Sequence, residues 1–322
     1  MPEAGSGTED PVLAIDIGGT RITAGLVEPG GRISAHDRVE AVAGHRLDAE
    51  GLWRTLESMV DKLLADNGSP EIAGVGVGCG GPMTWPVAEV SPLNIPAWQA
   101  FPLRERLRER HPGLPVRVHN QAVCMAVGEH WRGAGRGADN ILGMVVSDAV
   151  GGGLVLGGHL IDGASGNAGH IGHVIVDADG PECACGGLGC LEAIAGGPGL
   201  VGWAQDRDWR PDMPHVTEVD LADDARRGHP VAAAAMRRAG RALGIAIASA
   251  THLLDLDVVS IGGGLSQGGP LLFDPVDETF RAHARMEYAR EVRVVPAALG
   301  HTAGLIGAAA LVFAADRYWN AD

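Results

Sequence analysis

The stretch from Gly166 to Glu192, GNAGHIGHVIVDADGPECACGGLGCLE, concentrates side chains that can hold a metal: His170, His173, Cys183, Cys185 and Cys190. Three thiols spaced C-x-C-x4-C are too close for separate core positions, and the segment is too rich in glycine for a strand. Three soft thiolates and the His173 imidazole, ten residues upstream of Cys183, are expected to close a Cys3His tetrahedron around Zn2+ with no open position, a structural site. A metal-free turn or a transient disulfide would leave unexplained why Gly186, Gly187 and Gly189 stand among the ligands, where a chain wrapping a small ion needs freedom in φ. A second kind of chemistry is written in glycine turns. Asp16 to Thr20 reads DIGGT. Amides around Gly18 and Gly19 with the Thr20 hydroxyl can cradle a phosphate, and Asp16 can hold Mg2+ through water. Taken alone, an ordinary glycine-rich hairpin explains this turn equally well. It is not a dinucleotide fingerprint, because a strand pattern follows it. Gly262, Gly263 and Gly264 form another turn at which a backbone can approach a nucleotide.

These residues need elements to hold them. Val12 to Ile17 and Arg21 to Val27 read as two strands of a hairpin, and Leu52 to Ala65 as an amphipathic helix. Ile72 to Cys79 and Val116 to Asn120 return as strands. His119-Asn120-Gln121 therefore ends a strand and opens a helix over Ala122 to Trp131, the place where open α/β sheets put ligands. Asn94 and Trp98, in a loop with two prolines, are candidates to line a pocket, Trp98 alternatively to plug a core. Ile141 to Val146, the turn Ser147-Asp148-Ala149 and the strand Gly151 to Gly157 echo the first hairpin, so two domains each opening on a phosphate-type hairpin are expected. Val201 to Arg227 has little periodicity and reads as a surface excursion. Ala232 to Leu254 is a long helix, Val258 to Ser266 a strand running into the glycine turn, and Thr302 to Ala315 a small-residue helix.

Composition narrows the function. The chain has 322 residues, suited to two ordinary domains, with 46% apolar and 20% charged residues. Its net charge is −15 and Lys62 is the single lysine, so the cationic footprint that nucleic acid or an anionic membrane requires is missing. No apolar run approaches the roughly 20 residues of a membrane span. The first residues, MPEAGSGTEDP, lack the charged and apolar regions of a signal peptide. With a thiolate metal site, this points to a reducing, cytoplasmic setting.

Together the motifs resemble the ROK family (repressor, open reading frame, kinase), and specifically its glucokinase-type members. The resemblance runs from about Val12 to Ala315 and rests on DIGGT, the zinc signature of Gly166 to Glu192 and the GGG of Gly262 to Gly264. It implies a two-domain α/β fold of the ribonuclease-H-like, actin/hexokinase type, with a five-stranded mixed sheet in each domain and an interdomain cleft for sugar and ATP. The implied N-terminal domain is 1–119, completed by a C-terminal helix within 303–322, and the implied C-terminal domain is 120–302 with the zinc motif. Carried over residue by residue, Asn120, His173 and Glu192 match positions that hydrogen-bond the sugar; His170 stands on a further sugar-contacting position, and Asn94, from the proline loop, is counted with them as a sugar-binding candidate. Asp16, Gly18, Gly19, Thr20, Gly262, Gly263 and Gly264 serve the nucleotide and its phosphates. His173 grips zinc with one nitrogen and turns the other to the sugar, so the metal, held by His173, Cys183, Cys185 and Cys190, orients the pocket and is not a Lewis acid. A homodimer or homotetramer is implied as well.

Three positions depart from the resemblance. The catalytic aspartate that follows the asparagine is here Gln121, whose amide accepts no proton at pH 7. The second phosphate turn, usually Gly-Thr-Gly, reads Ser147-Asp148-Ala149, which sets a carboxylate where a phosphate is expected. His170 stands where glutamate is usual, which bears on the choice of sugar. The expectation is a kinase-derived, hexose-binding protein whose ordinary ATP-dependent phosphorylation is lost or much reduced, a diverged enzyme working on a sugar or sugar phosphate through Asp148 and His170. An active kinase with Asp148 as relocated base and a non-catalytic sugar sensor are the alternatives, ATP and Mg2+ belonging to the first of these. A DNA-binding repressor of the family would carry a helix-turn-helix before the first hairpin, and fifteen residues precede Asp16.

Overall fold

The computed structural model describes residues 9–18, 21–33, 38–41, 47–212 and 215–320, with the side chains of 38–41 excepted. In chain order the elements are β1 (Val12–Ile17), β2 (Ile22–Val27), β3 (Arg38–Ala41), α1 (Ala49–Asp66), β4 (Gly74–Cys79), α2 (Leu103–Arg110), β5 (Val116–Asn120) and α3 (Gln121–Arg132). Then come β6 (Ile141–Val146), β7 (Val150–Leu156), β8 (His159–Leu160), α4 (Leu191–Ala195), α5 (Gly197–Gln205), α6 (Glu218–Arg226) and α7 (Pro230–Leu254). The chain finishes with β9 (Val258–Gly262), α8 (Pro270–His283), α9 (Glu287–Arg290), β10 (Arg293–Pro296), α10 (Ala303–Phe313) and α11 (Ala315–Tyr318).

Two five-stranded sheets result, ordered β3-β2-β1-β4-β5 and β10-β9-β6-β7-β8. In the first, β1 pairs antiparallel with β2 and parallel with β4, which pairs parallel with β5. In the second, β6 runs parallel to β9 and β9 to β10. Read from its other edge, the second sheet repeats the order of the first, so the echo between the two hairpins extends to the whole sheet. Packing divides the chain into two compact units: 1–136 with 153–168 and 301–322, and 137–152 with 169–300. The domain limits expected from sequence and this division differ at α3 and at 153–168. The reason is that α3 packs on α10, and both belong to the first unit.

In the first unit the apolar strands β1 and β4 are almost wholly buried, as near-continuous hydrophobic runs require. Helices α3 and α10 cross at glycines. A Cβ on Gly128 would overlap the Ala303 carbonyl, and one on Gly307 the Cys124 carbonyl. Trp98 settles as a core residue. It is fully buried, stacks on Phe101 at 4.4 Å and donates its Nε1–H to Ala49 O at 3.3 Å. It lines no pocket.

In the second unit α7 and α8 pack through Gly240 and Gly244, where a Cβ would come within 2.8 Å of Leu272 O and Val276 O respectively. The reading of Val201 to Arg227 as a surface excursion is corrected. The segment contains the end of α5 and all of α6, which buries Glu218, Leu221, Ala222 and Ala225. Trp209 is buried with them and donates to Asp224 at 2.8 Å. The interruption between the helices is what blurs the helical period.

Candidate functional site

In the first unit β1, β4 and β5 end side by side, with Asp16 level with Gly78 and Ile17 with Cys79, itself level with Asn120. That register gathers residues far apart in sequence. Asn120 caps α3, its Oδ1 accepting from Ala122 N at 2.9 Å. Gln121 is consequently the first residue of α3, and its side chain hydrogen-bonds Asp16. A Cβ on Gly18 would lie 3.4 Å from Gln121 Nε2, so Asp16, Gly18 and Gln121 form one cluster. Gly19 and Thr20 lie outside the described residues. Asn94 and Asn120 flank the Gly80-Gly81 turn, at 3.2 Å and 2.8 Å from where Cβ atoms would stand. Because Oδ1 of Asn120 is spent on the cap, its Nδ2 is the group turned toward Gly81.

His119, placed from sequence with Asn120 and Gln121 at the ligand end of the strand, fixes Asn120 from behind. His119 is fully buried, and its Nδ1 accepts the Asn120 N–H at 2.7 Å. Nε2 must then carry the proton it donates to Asp162, 2.9 Å away. Asn320 donates to the other Asp162 oxygen at 2.8 Å, and the Trp85 ring lies 4.7 Å from the imidazole. The only sequence sign of this role is a histidine beside Asn120 near the end of a strand.

Asp16 is under electrostatic stress. Its Oδ1 is buried with no hydrogen-bond partner, and a Cβ on Gly304 would lie 2.9 Å from its Oδ2. Desolvation pushes its pKa up to about 6 from 3.8, partly offset by the bond from Gln121. A raised carboxyl pKa penalises the folded state above the folded pKa, and the penalty vanishes below the unfolded one. The gap corresponds to about 3 kcal/mol. Asp16→Asn is therefore expected to stabilise the metal-free protein by about 1–3 kcal/mol at pH 7.5, with the gain fading between pH 6 and pH 4. Urea unfolding at several pH values checks this. A stability gain that did not change with pH would contradict it.

In the second unit the ligand atoms of His173, Cys183, Cys185 and Cys190 all lie within 4.8 Å of one another. The Cys185 and Cys190 sulfurs are 3.7 Å apart, and Cys183 Sγ is 3.8 Å from His173 Nδ1. A tetrahedron of ~2.3 Å metal–sulfur bonds has edges of about 3.8 Å, whereas a disulfide needs about 2.05 Å. All five cysteines are free. The glycines do what the spacing demanded at two positions: Gly186 and Gly189 adopt φ of 88° and 66°. A Cβ on Gly189 would collide with the Asp177 carbonyl. With Nδ1 turned to the sulfurs, His173 keeps Nε2 for another partner. His170 lies alongside, ring centres 6.0 Å apart. Its pKa is lowered by burial first and by His173 second. Glu192 accepts the Val150 N–H through Oε2 at 2.9 Å, which ties the segment that follows the three cysteines to the start of β7. Asp148 is exposed on its turn, and Gly262 to Gly264 close β9. The structure thus brings the metal set together in one unit and Asp16, Gly18 and Gln121 in the other.

Two mixed sheets of the same strand order, each opening on a hairpin, define a two-domain actin/hexokinase-like protein. The ROK family model matches residues 12–315. Relatives of nearly equal length agree. A glucokinase of Thermotoga maritima is 31% identical over 313 residues, covering 94% of this chain and 96% of its own. An N-acetylmannosamine kinase of Salmonella newport is 35% identical over 305 residues, covering 93% and 97%. The crystal structure of a ROK family glucokinase from Streptomyces griseus, in complex with glucose and AMPPNP, superposes with a TM-score of 0.79 at 32% identity, covering 94% of this chain and 98% of that one. The chain belongs to the ROK family.

Proposed function

We propose that this ROK protein binds a hexose or a related sugar and that its ordinary ATP-dependent sugar phosphorylation is strongly reduced. The observation that carries the reading is Gln121: an amide, hydrogen-bonded to Asp16, directly after Asn120 at the start of α3. Transfer to a sugar hydroxyl needs a group that takes the hydroxyl proton, and the loss of such a base costs roughly 10²–10⁴ in rate. An amide can orient the hydroxyl but cannot take its proton. Asn94 and Asn120 in the first unit, and His170, His173 and Glu192 in the second, are the proposed sugar contacts. His170, beside the metal ligand His173, is the residue that sets which sugar is preferred.

The donor set fits the expected ions. The four ligands of the second unit suit Zn2+, which would supply structure and fix the His173 ring. The partnerless Asp16 oxygen suits a hydrated Mg2+, which would neutralise phosphate charge. Reduced thiolates accord with a cytoplasmic setting, and among the described residues no helix is long and apolar enough to cross a membrane. A homo-oligomer is part of the same reading. A coupled assay with ATP, Mg2+ and a panel of hexoses and N-acetylhexosamines is expected to show sugar binding with little sugar phosphate. Robust turnover on any of them overturns the reduced-kinase reading. A second reading, an active kinase with a relocated base, is favoured by the exposed Asp148 carboxylate. It requires turnover to collapse in Asp148→Asn.

A further inference from the structure

Glu218 is a buried carboxylate that lies against the Ser147–Ala149 turn. It is the first residue of α6, whose start is fixed by a capping box: Asp220 accepts the Thr217 N–H at 2.9 Å, and Thr217 Oγ1 accepts the Asp220 N–H. Held there, the Glu218 side chain turns inward and is 97% buried. Its Oε1 accepts a hydrogen bond from the Ser147 hydroxyl at 2.6 Å. The same oxygen lies against Gly264, where any Cβ would overlap it, and Oε2 would be 2.8 Å from a Cβ on Gly197. Gly197 in turn donates its N–H to Ser147 O at 2.8 Å. One carboxylate thus joins the Ser147–Ala149 turn, the start of α5 and the Gly262–Gly264 turn.

A hydroxyl has a single proton. When Ser147 donates it in the hydrogen bond to Glu218, the hydroxyl can only accept, and the next side chain, Asp148, is itself an acceptor. We propose that Glu218 is the residue that sets donor specificity at this turn: it rejects the bare polyphosphate of a nucleoside triphosphate and admits one only with a divalent cation bound between the phosphate and these acceptors. This rests on the reading that the turns of the second unit face a nucleotide. It goes beyond that reading by assigning the discrimination to a residue outside the turns themselves.

The test reads ATP affinity by calorimetry, with excess EDTA and with Mg2+, in the wild type, Glu218→Gln, Glu218→Ala and the double variant Glu218→Ala/Ser147→Ala. The wild type is expected to bind ATP at least tenfold more weakly in EDTA than in Mg2+. Glu218→Ala should narrow that ratio by tightening the EDTA affinity at least tenfold, Glu218→Gln, whose amide oxygen still accepts from Ser147, should tighten it less, and the double variant should lose the gain, because no hydroxyl is left to donate. Equal wild-type affinity with and without Mg2+ overturns the proposal and needs no variant that must fold. Unchanged or weaker EDTA affinity in folded Glu218→Ala overturns it too. Turnover of the wild type on hexoses decides the reduced-kinase reading separately, since this experiment measures binding alone.

Discussion

Stripping the metal, or replacing Cys190 with Ser, is expected to melt the segment from Ile171 to Cys190 and lower the unfolding midpoint by more than about 10 °C. Structural zinc contributes about 10–16 kcal/mol of apparent free energy in small zinc domains. Part of that is recoverable here, because Ile175 bridges Cys190 and Val176 N bonds Gly189 O at 2.9 Å without the ion. The loss should still exceed that of any single core substitution. Little else holds Cys185, which is exposed, while burial pushes the Cys190 thiol up to about 12. Cys190 therefore stays protonated until metal displaces its proton, so affinity must fall as pH falls. Elemental analysis should find one zinc per chain, and a chelator competition at pH 7.5 and pH 6 should show tighter binding at the higher pH. A chelated, metal-free protein with an unchanged midpoint would falsify the structural role. Because His173 links the ion to the proposed sugar contacts, sugar affinity should fall together with zinc content.

The second large effect is a gain. Gln121→Asp, combined with Asp148→Thr, is expected to raise hexose phosphorylation by roughly 10²–10⁴, the factor ascribed to a positioned base. A carboxylate at the first position of α3 is favoured by the helix N-terminus by about 0.3–1 kcal/mol. It also arrives beside Asp16, already at a raised pKa in a buried setting, and two neighbouring carboxylates resist joint ionisation. The variant should therefore be less stable than the parent at pH 8, recover toward pH 5, and depend more steeply on Mg2+. Steady-state kinetics against Mg2+ and pH, with urea unfolding alongside, resolve the two trends. If turnover stays at the parent level while sugar and nucleotide both bind, proton acceptance at 121 is not what the reaction lacks.

What the sequence disclosed and what it withheld follow from distance along the chain. The metal set spans His173 to Cys190, so its spacing nearly dictates its geometry. The two hairpins share a local pattern, and the repeat between the sheets grows from it. The contact of Gln121 with Asp16 crosses over a hundred residues and exists only because β1, β4 and β5 end together. Gln121 was legible as an altered residue, but its bond to Asp16 was not. Glu218 was hidden more completely. Thr217 and Asp220 do spell a helix start, but an acid inside an acidic, weakly periodic segment reads as a solvated face until the fold buries it. Trp98 shows the reverse case, an aromatic beside a candidate polar residue that turned out to fill the core.

The glycine crossing of α3 and α10 has a consequence for the order of events at the ribosome. The first unit is assembled from three separate stretches, the last beginning at residue 301, and Gly76 and Gly128 are shaped to receive the backbone of α10. The second unit lies between those stretches in the chain. During synthesis the first sheet must wait, its apolar face uncovered, until the final two dozen residues emerge, while the second unit can already close. Non-local closure of this kind is slow and exposes hydrophobic surface. A chain released short of α10 would thus expose an unfinished groove, making it a natural target for a chaperone or a protease.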